Sequence, residues 1–144
     1  MLFLGTFDYA MDERGRVPLP PRYRDVFRAG IVLSQGSPDP CVHLYTAEAF
    51  ETQAKRYLAV PALSRKGRQL RRLLSRTWEA QLDAQNRILI PTPLRSYAKL
   101  SGKVFLIGAG ERMELWSPDA YEGEMDSIDE NLEPMLESVS EREQ

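Results

Sequence analysis

The chain repeats itself, and that constrains its fold more than any single motif does. DERGRVPLPPRYR (12–24) and DAQNRILIPTPLR (83–95) align without a gap at an offset of 71 residues. Asp12 falls on Asp83, Arg16 on Arg87, Val17 on Ile88, Leu19 on Ile90, Pro20 on Pro91 and Arg24 on Arg95. The same offset brings TFDYAM (6–11) onto TWEAQL (77–82) and VHLYTAEAF (42–50) onto MELWSPDAY (113–121). Three blocks in one register mark a duplicated unit. Whatever the first copy folds into, the second must be able to adopt.

Each copy reads as short strands followed by a helix. Phe7, Tyr9 and Met11 alternate as one face of a first strand, and Val17 and Leu19 continue into a second. IVLS (31–34) and CVHLY (41–45) give a third and a fourth strand, separated by the turn-rich QGSPDP. Thr46 is placed to cap a helix over AEAFETQAKRYLA, with Glu48 in its first turn. In the second copy the matching strands are Trp78/Ala80/Leu82, Ile88/Ile90, VFLIG (104–108) and MELW (113–116), and Ser117-Pro118 opens the helix. Pro-led stretches at 20–28 and 91–98 predict a helical turn between the second and third strands. The pattern predicts an α+β fold with unit 1 over 5–47, a helical linker over 48–75, unit 2 over 76–119 and an acidic helix or tail over 120–144. Pro134 is expected to break or kink that last segment.

Charge is divided along the chain. Acidic and basic residues balance over 1–60, whereas 61–103 holds ten Lys/Arg against two Asp/Glu, and 104–144 holds two against twelve. An overall charge of −2 therefore hides a basic middle and an acidic end, and anion binding depends on local patches. Ser64 starts a linker helix, SRKGRQLRRLLSR. Its Arg65, Arg68, Arg72 and Arg76 fall on one stripe, while Leu70, Leu73 and Leu74 form the apolar face. Like charges on a stripe repel, so a partner is expected, either DNA or an acidic segment of the same or a neighbouring chain.

Asp12-Glu13-Arg14-Gly15 has the signature of a type I turn, and Gly15 supplies the positive φ of a hairpin bulge. Asp12 then shapes the loop, Arg14 stands at its tip and Arg16 leaves at its base. The second loop, Asp83-Ala84-Gln85-Asn86, keeps the turn because Asn tolerates left-handed geometry, but carries Gln85 where the first has Arg14. The second loop is the weaker anion binder.

LFLGTFDYAMDERGRVPLP and WEAQLDAQNRILIP, with ELWSPDAY further on, resemble the MraZ family over nearly all of residues 1–120. The resemblance implies two SpoVT/AbrB-type swapped-hairpin units. It also implies a transcription regulator of the bacterial division and cell-wall gene cluster, binding short repeats upstream of its own operon as a closed homo-oligomeric ring. The family's Asp-x-x-x-Arg motif carries over onto Asp12 with Arg16 and onto Asp83 with Arg87, while Asn86 stands where the family usually has Gly. On this reading Arg14, Arg16 and Arg87 touch DNA, since a planar guanidinium meets phosphate or guanine at two points, and Asp12, Gly15, Asp83 and Asn86 form the turns. Pro18 lacks an amide donor and is expected at an edge or an unpaired position.

Other features weigh against other chemistries. Arg24 and Arg95 follow Pro-led turns and read as structural or interface residues. Cys41 and His43 share a strand face without a CxxC or a second histidine, so no metal or cofactor is expected. Trp78 and Trp116 match Phe7 and Tyr45 and read as core or interface. No P-loop, GxGxxG, GxSxG or HExxH is present, so an enzyme is not expected. A lone cysteine and the absence of a basic leader followed by a long apolar run point to the cytoplasm, with DNA binding placing the chain on the nucleoid. The alternatives are a ring-forming scaffold that binds proteins and an antitoxin-like DNA binder, which would normally carry one such unit.

Overall fold

The computed structural model describes residues 1–143. Its strands are β1 (Thr6–Ala10), β2 (Arg16–Pro18), β3 (Ile31–Gln35), β4 (Val42–Thr46), β5 (Thr77–Ala80), β6 (Arg87–Leu89), β7 (Lys103–Gly108) and β8 (Met113–Trp116). Its helices are α1 (Arg24–Phe27, entered through a 3-10 turn at Pro21–Tyr23), α2 (Ala47–Leu58), α3 (Arg65–Leu73), α4 (Thr92–Ala98) and α5 (Pro118–Glu143). The fold is α+β, and no helix among the described residues is long and apolar enough to cross a membrane.

Six strands form one antiparallel sheet in the order β1-β7-β8-β4-β3-β5, and β2 pairs with β6 in a separate two-stranded ribbon. The copies exchange their first strands: β1 of the first copy lies against β7 of the second, and β5 of the second lies against β3 of the first. The two central pairings are self-pairings of the repeat. Val17 faces Ile88 in the ribbon and His43 faces Glu114 in the sheet, each residue opposite its own equivalent 71 positions on. A pseudo-twofold axis therefore runs through both layers.

The core follows that symmetry. Val42 and Leu44 from β4, Met113 and Leu115 from β8, and Leu33 and Val104 from β3 and β7 are fully buried. Above them sit Val17, Leu19, Ile88 and Ile90 from the ribbon, with Tyr23, Phe27, Leu94 and Ala98 from the Pro-led turns. Because side chains alternate across a sheet, His43, Tyr45, Glu114 and Trp116 project to the opposite face. There Tyr45 packs against Phe50 of α2, and Trp116 and Phe105 pack against Tyr121 of α5. The result is three layers: ribbon with short helices, sheet, long helices. Burial of the central strands on both faces is why β8 shows no alternation in exposure.

The helix starts match the capping chemistry read from the sequence. Thr46 Oγ1 accepts from the Ala49 amide, Ser64 Oγ from the Gly67 amide and Ser117 Oγ from the Ala120 amide. At the acidic end, Pro134 does not break the helix, and α5 continues through it. Proline's fixed φ is compatible with helix, and the bond it removes is the one to the Glu130 carbonyl. Glu130 is exposed, so its freed carbonyl faces water and the helix continues.

Candidate nucleic-acid interface

The two Asp-x-x-x-Arg loops are built alike, bond for bond. In the first, the Gly15 amide donates to the Asp12 carbonyl (3.0 Å) and the Asp12 amide to the Arg16 carbonyl (3.0 Å). Asp12 Oδ1 accepts from the amides of Arg14 and Arg16 (2.9 Å each), and Oδ2 accepts from Arg16 Nε (2.6 Å). In the second, Asp83 Oδ1 accepts from the amides of Gln85 and Arg87 (2.9 Å each) and Oδ2 from Arg87 Nε (3.0 Å). These bonds favour the charged carboxylate. Both acids titrate below the usual carboxylate range, first because the amide of the following arginine donates to each. Gly15 has φ +85° and Asn86 φ +59°, the left-handed position each turn needs.

The ribbon decides which way the arginines point. Val17 and Ile88 turn inward and are buried, so their neighbours Arg16, Pro18, Arg87 and Leu89 share the outer face. The Leu19 amide donates to the Asn86 carbonyl and the Ile90 amide to the Gly15 carbonyl. Hydrogen-bonded pairs alternate along an antiparallel ladder, so Pro18 opposite Arg87 sits at a non-hydrogen-bonded position. Its missing donor costs nothing there, as expected for that residue.

The two arginine motifs are joined by the fold. Arg87 Nη1 lies 3.6 Å from Asp12 Oδ2, so one carboxylate holds both arginines and one arginine touches both acids. Arg87 Nη2 also bonds Gln85 Oε1. Arg14 is exposed at its loop tip. Among the three arginines it alone has no carboxylate within salt-bridge distance among the described residues. Asp12, Glu13 and Asp83 offset Arg14, Arg16 and Arg87 one for one, so the face is directional rather than strongly basic.

Arg24 and Arg95 are tied down beside this face, one to the backbone and one to a side-chain hydroxyl. Arg24 Nε donates to the Leu19 carbonyl (3.0 Å), and Arg95 Nη2 donates to Thr92 Oγ1 (2.7 Å). The Arg95 guanidinium lies over Gly15, where a Cβ would come within 2.5 Å of Nη1. That contact was not legible in the sequence, because its two ends belong to different copies.

On the other side of the sheet, Cys41, His43 and Glu114 bring a thiol, an imidazole and a carboxylate within 4.8 Å of one another. The strand pattern alone showed no carboxylate near Cys41 and His43; the dyad pairing supplies Glu114. That carboxylate is already engaged. Arg112 Nε and Nη2 donate to Oε2 (3.1 and 2.8 Å), and Trp116 Nε1 donates to Oε1 (3.0 Å). Burial, and next the Arg112 cation, push the His43 pKa down to about 4, and burial raises that of Cys41. The three side chains form a packed polar cluster whose carboxylate is held by Arg112 and Trp116. Trp116 is buried and Trp78 half-buried against the core.

Arg65, Arg68, Arg72 and Arg76 stand exposed along α3 and the 3-10 turn that extends it (Leu74–Arg76). Arg68 bonds the Leu63 carbonyl and Arg76 reaches Gln35 Oε1 (3.5 Å). The stripe belongs to the long-helix layer, on the opposite side of the sheet from the loops.

Both halves of the chain match one family model, described as "MraZ protein, putative antitoxin-like", over residues 2–72 and again over 73–139. Similar curated proteins carry the name Transcriptional regulator MraZ. One from Micrococcus luteus is 36% identical over 83% of this chain and 84% of its own length. One from Roseiflexus castenholzii is 32% identical over 97% and 98%, and one from Dehalococcoides mccartyi is 30% identical over 97% and 99%. The family match divides the chain where the internal repeat does, and the chain belongs to the MraZ family.

Proposed function

We propose that the chain is a sequence-specific DNA-binding transcription regulator that meets the duplex with the β2–β6 ribbon and its two loops. The observation that carries this is the outer face of the ribbon. Arg16 and Arg87 stand on it as equivalents about a twofold axis, each locked at Nε by its own aspartate. A two-stranded antiparallel ribbon fits the major groove, and strand readers dock that way. Duplex DNA has local twofold axes of its own, so a dyad-related pair of arginines suits it. Asp12 and Asp83 preorganise the guanidinium groups at Nε, leaving the Nη donors of Arg16 for base edges or phosphates, whereas those of Arg87 also reach Asp12 and Gln85. Arg14, held by no acid, supplies a phosphate contact, and Asn86 and Gln85 leave the second loop the weaker of the two.

The relatives' shared name, transcriptional regulator, supports the same reading. The target we infer is the division and cell-wall gene cluster, through short repeats upstream of the chain's own operon. One protomer offers few contacts, so binding requires a closed homo-oligomer that presents many loops to spaced repeats. The protein then works in the cytoplasm, on the nucleoid.

Footprinting on the DNA upstream of the gene tests this, with Arg16→Ala and Arg87→Ala compared against the parent. Protection at regularly spaced short repeats is expected. Each substitution should weaken specific binding by about 1–3 kcal/mol per site contact, more for Arg16, with the far-ultraviolet circular dichroism unchanged. Folded Arg16→Ala protein that protects the same repeats at the same concentration would overturn the assignment.

A further inference from the structure

The strongest unassigned feature is a pair of surfaces with opposite charge and no partner among the described residues. From Arg65 to Arg76, α3 and its 3-10 extension carry six Lys/Arg and no acid. Lys66, Leu70, Arg72, Leu73 and Arg76 line an open groove there. No carboxylate lies within salt-bridge distance of Arg65, Lys66, Arg68, Arg72 or Arg76 among the described residues. Arg71 is different, since it is spent on the carbonyls of Leu58, Val60 and Gly67.

The complement is α5. It spans 26 residues, about 39 Å of helix, and only its first turns pack on the sheet, through Tyr121. Residues 129–142 are all exposed. Along them Leu132, Met135, Leu136 and Val139 continue from Ile128 at helical spacing, a stripe 43–58% exposed from Leu132 onward. Asp129, Glu130, Glu133, Glu137 and Glu141 flank it, against Arg142 alone. An isolated acidic helix with an apolar stripe and an internal proline has little reason to hold together in water.

We infer that the distal half of α5 docks, apolar stripe inward, into the α3 groove of a second copy of this chain, setting its carboxylates against Lys66, Arg72 and Arg76. Charge and polarity select this occupant. The groove offers leucines rimmed by cations, and the helix offers leucines rimmed by anions. Residues 129–142 are exposed and none of them lines the α3 groove, so the contact is assigned between copies. DNA is the less suitable occupant of α3, because the stripe lies across the sheet from the ribbon and surrounds an apolar floor. This inference rests on the self-association reading above, and names the surfaces that would carry it.

The test uses full-length protein, its mass followed by light scattering at set concentrations and its DNA binding measured in parallel. Leu132→Ser with Leu136→Ser, and separately Arg72→Glu with Arg76→Glu, are expected to weaken self-association at least tenfold. Combining Arg72→Glu and Arg76→Glu with Glu133→Arg and Glu137→Arg should restore most of it. Since all these side chains are exposed, the fold should persist, and unchanged circular dichroism verifies that. A monomeric parent would sink the self-association reading itself. An oligomeric parent whose variants keep its mass would overturn only the α3–α5 contact. So would loss of mass from the α5 changes without loss from the α3 changes, or loss of DNA binding by Arg72→Glu/Arg76→Glu at unchanged mass.

Discussion

Gly15 tests how the first loop is held. Its φ of +85° lies where a Cβ meets the following carbonyl oxygen, and the same Cβ would come within 2.5 Å of Arg95 Nη1 and 2.8 Å of Arg95 Cδ. Gly15→Ala therefore meets two obstacles. The left-handed conformation costs about 1–2 kcal/mol for a residue with a Cβ. The clash adds little, because the far end of an arginine can swing aside. Gly15→Asn has the same Cβ and the same clash but tolerates the conformation, as Asn86 does at φ +59° in the second loop. The order of stability should then be Gly, Asn, Ala. Thermal unfolding at matched protomer concentration should put the alanine variant about 2–8 °C below the parent. Repeating the series in an Arg95→Ala background removes the clash and leaves the conformational difference between Asn and Ala. Parent-like stability of Gly15→Ala, or equal stability of Asn and Ala in the Arg95→Ala background, would refute the argument.

Two further outcomes follow from burial and titration. Leu19→Ala, at a fully buried position under the ribbon, should cost about 2–5 kcal/mol in denaturant melts. Leu89→Ala, 55% exposed on the outer face of the same ribbon, should stay within about 0.5 kcal/mol. Equal effects would mean that the ribbon is not seated as described. His43 is held neutral in the fold, with a pKa lowered to about 4 from 6.5, so the unfolded chain takes up its proton first. Stability should be full above about pH 6.5 and decline as pH falls from there through 4. Glu114 and Arg112 face the same imidazole, so the comparison is with His43→Gln, whose decline over that interval should be shallower. Identical pH profiles for the two proteins would show that His43 does not carry the proton linkage.

Much of the loop architecture was legible in the sequence because it is local. Asp12 and Gly15, or Asp83 and Asn86, close a turn within four residues, and their chemistry specifies the hydrogen bonds the structure contains. Cap residues acted over three residues, and the alternation of Phe7 and Tyr9 needed only a strand. Pro134 was legible in kind but not in effect, since its cost depends on whether the carbonyl it frees is exposed. What the sequence could not show was which copy each strand would join. Two units with one pattern offer every strand two plausible neighbours, and backbone hydrogen bonds do not distinguish them.

The sequence by itself thus determined the duplication, the strands, the turns and the three arginines at the loops. Tertiary structure alone decided that β1 and β5 change places and that Arg87 reaches Asp12. It also decided that Arg95 covers Gly15 and that His43 meets Glu114. Each of those contacts joins residues of different copies, and only the packing of both copies around a shared axis selects them.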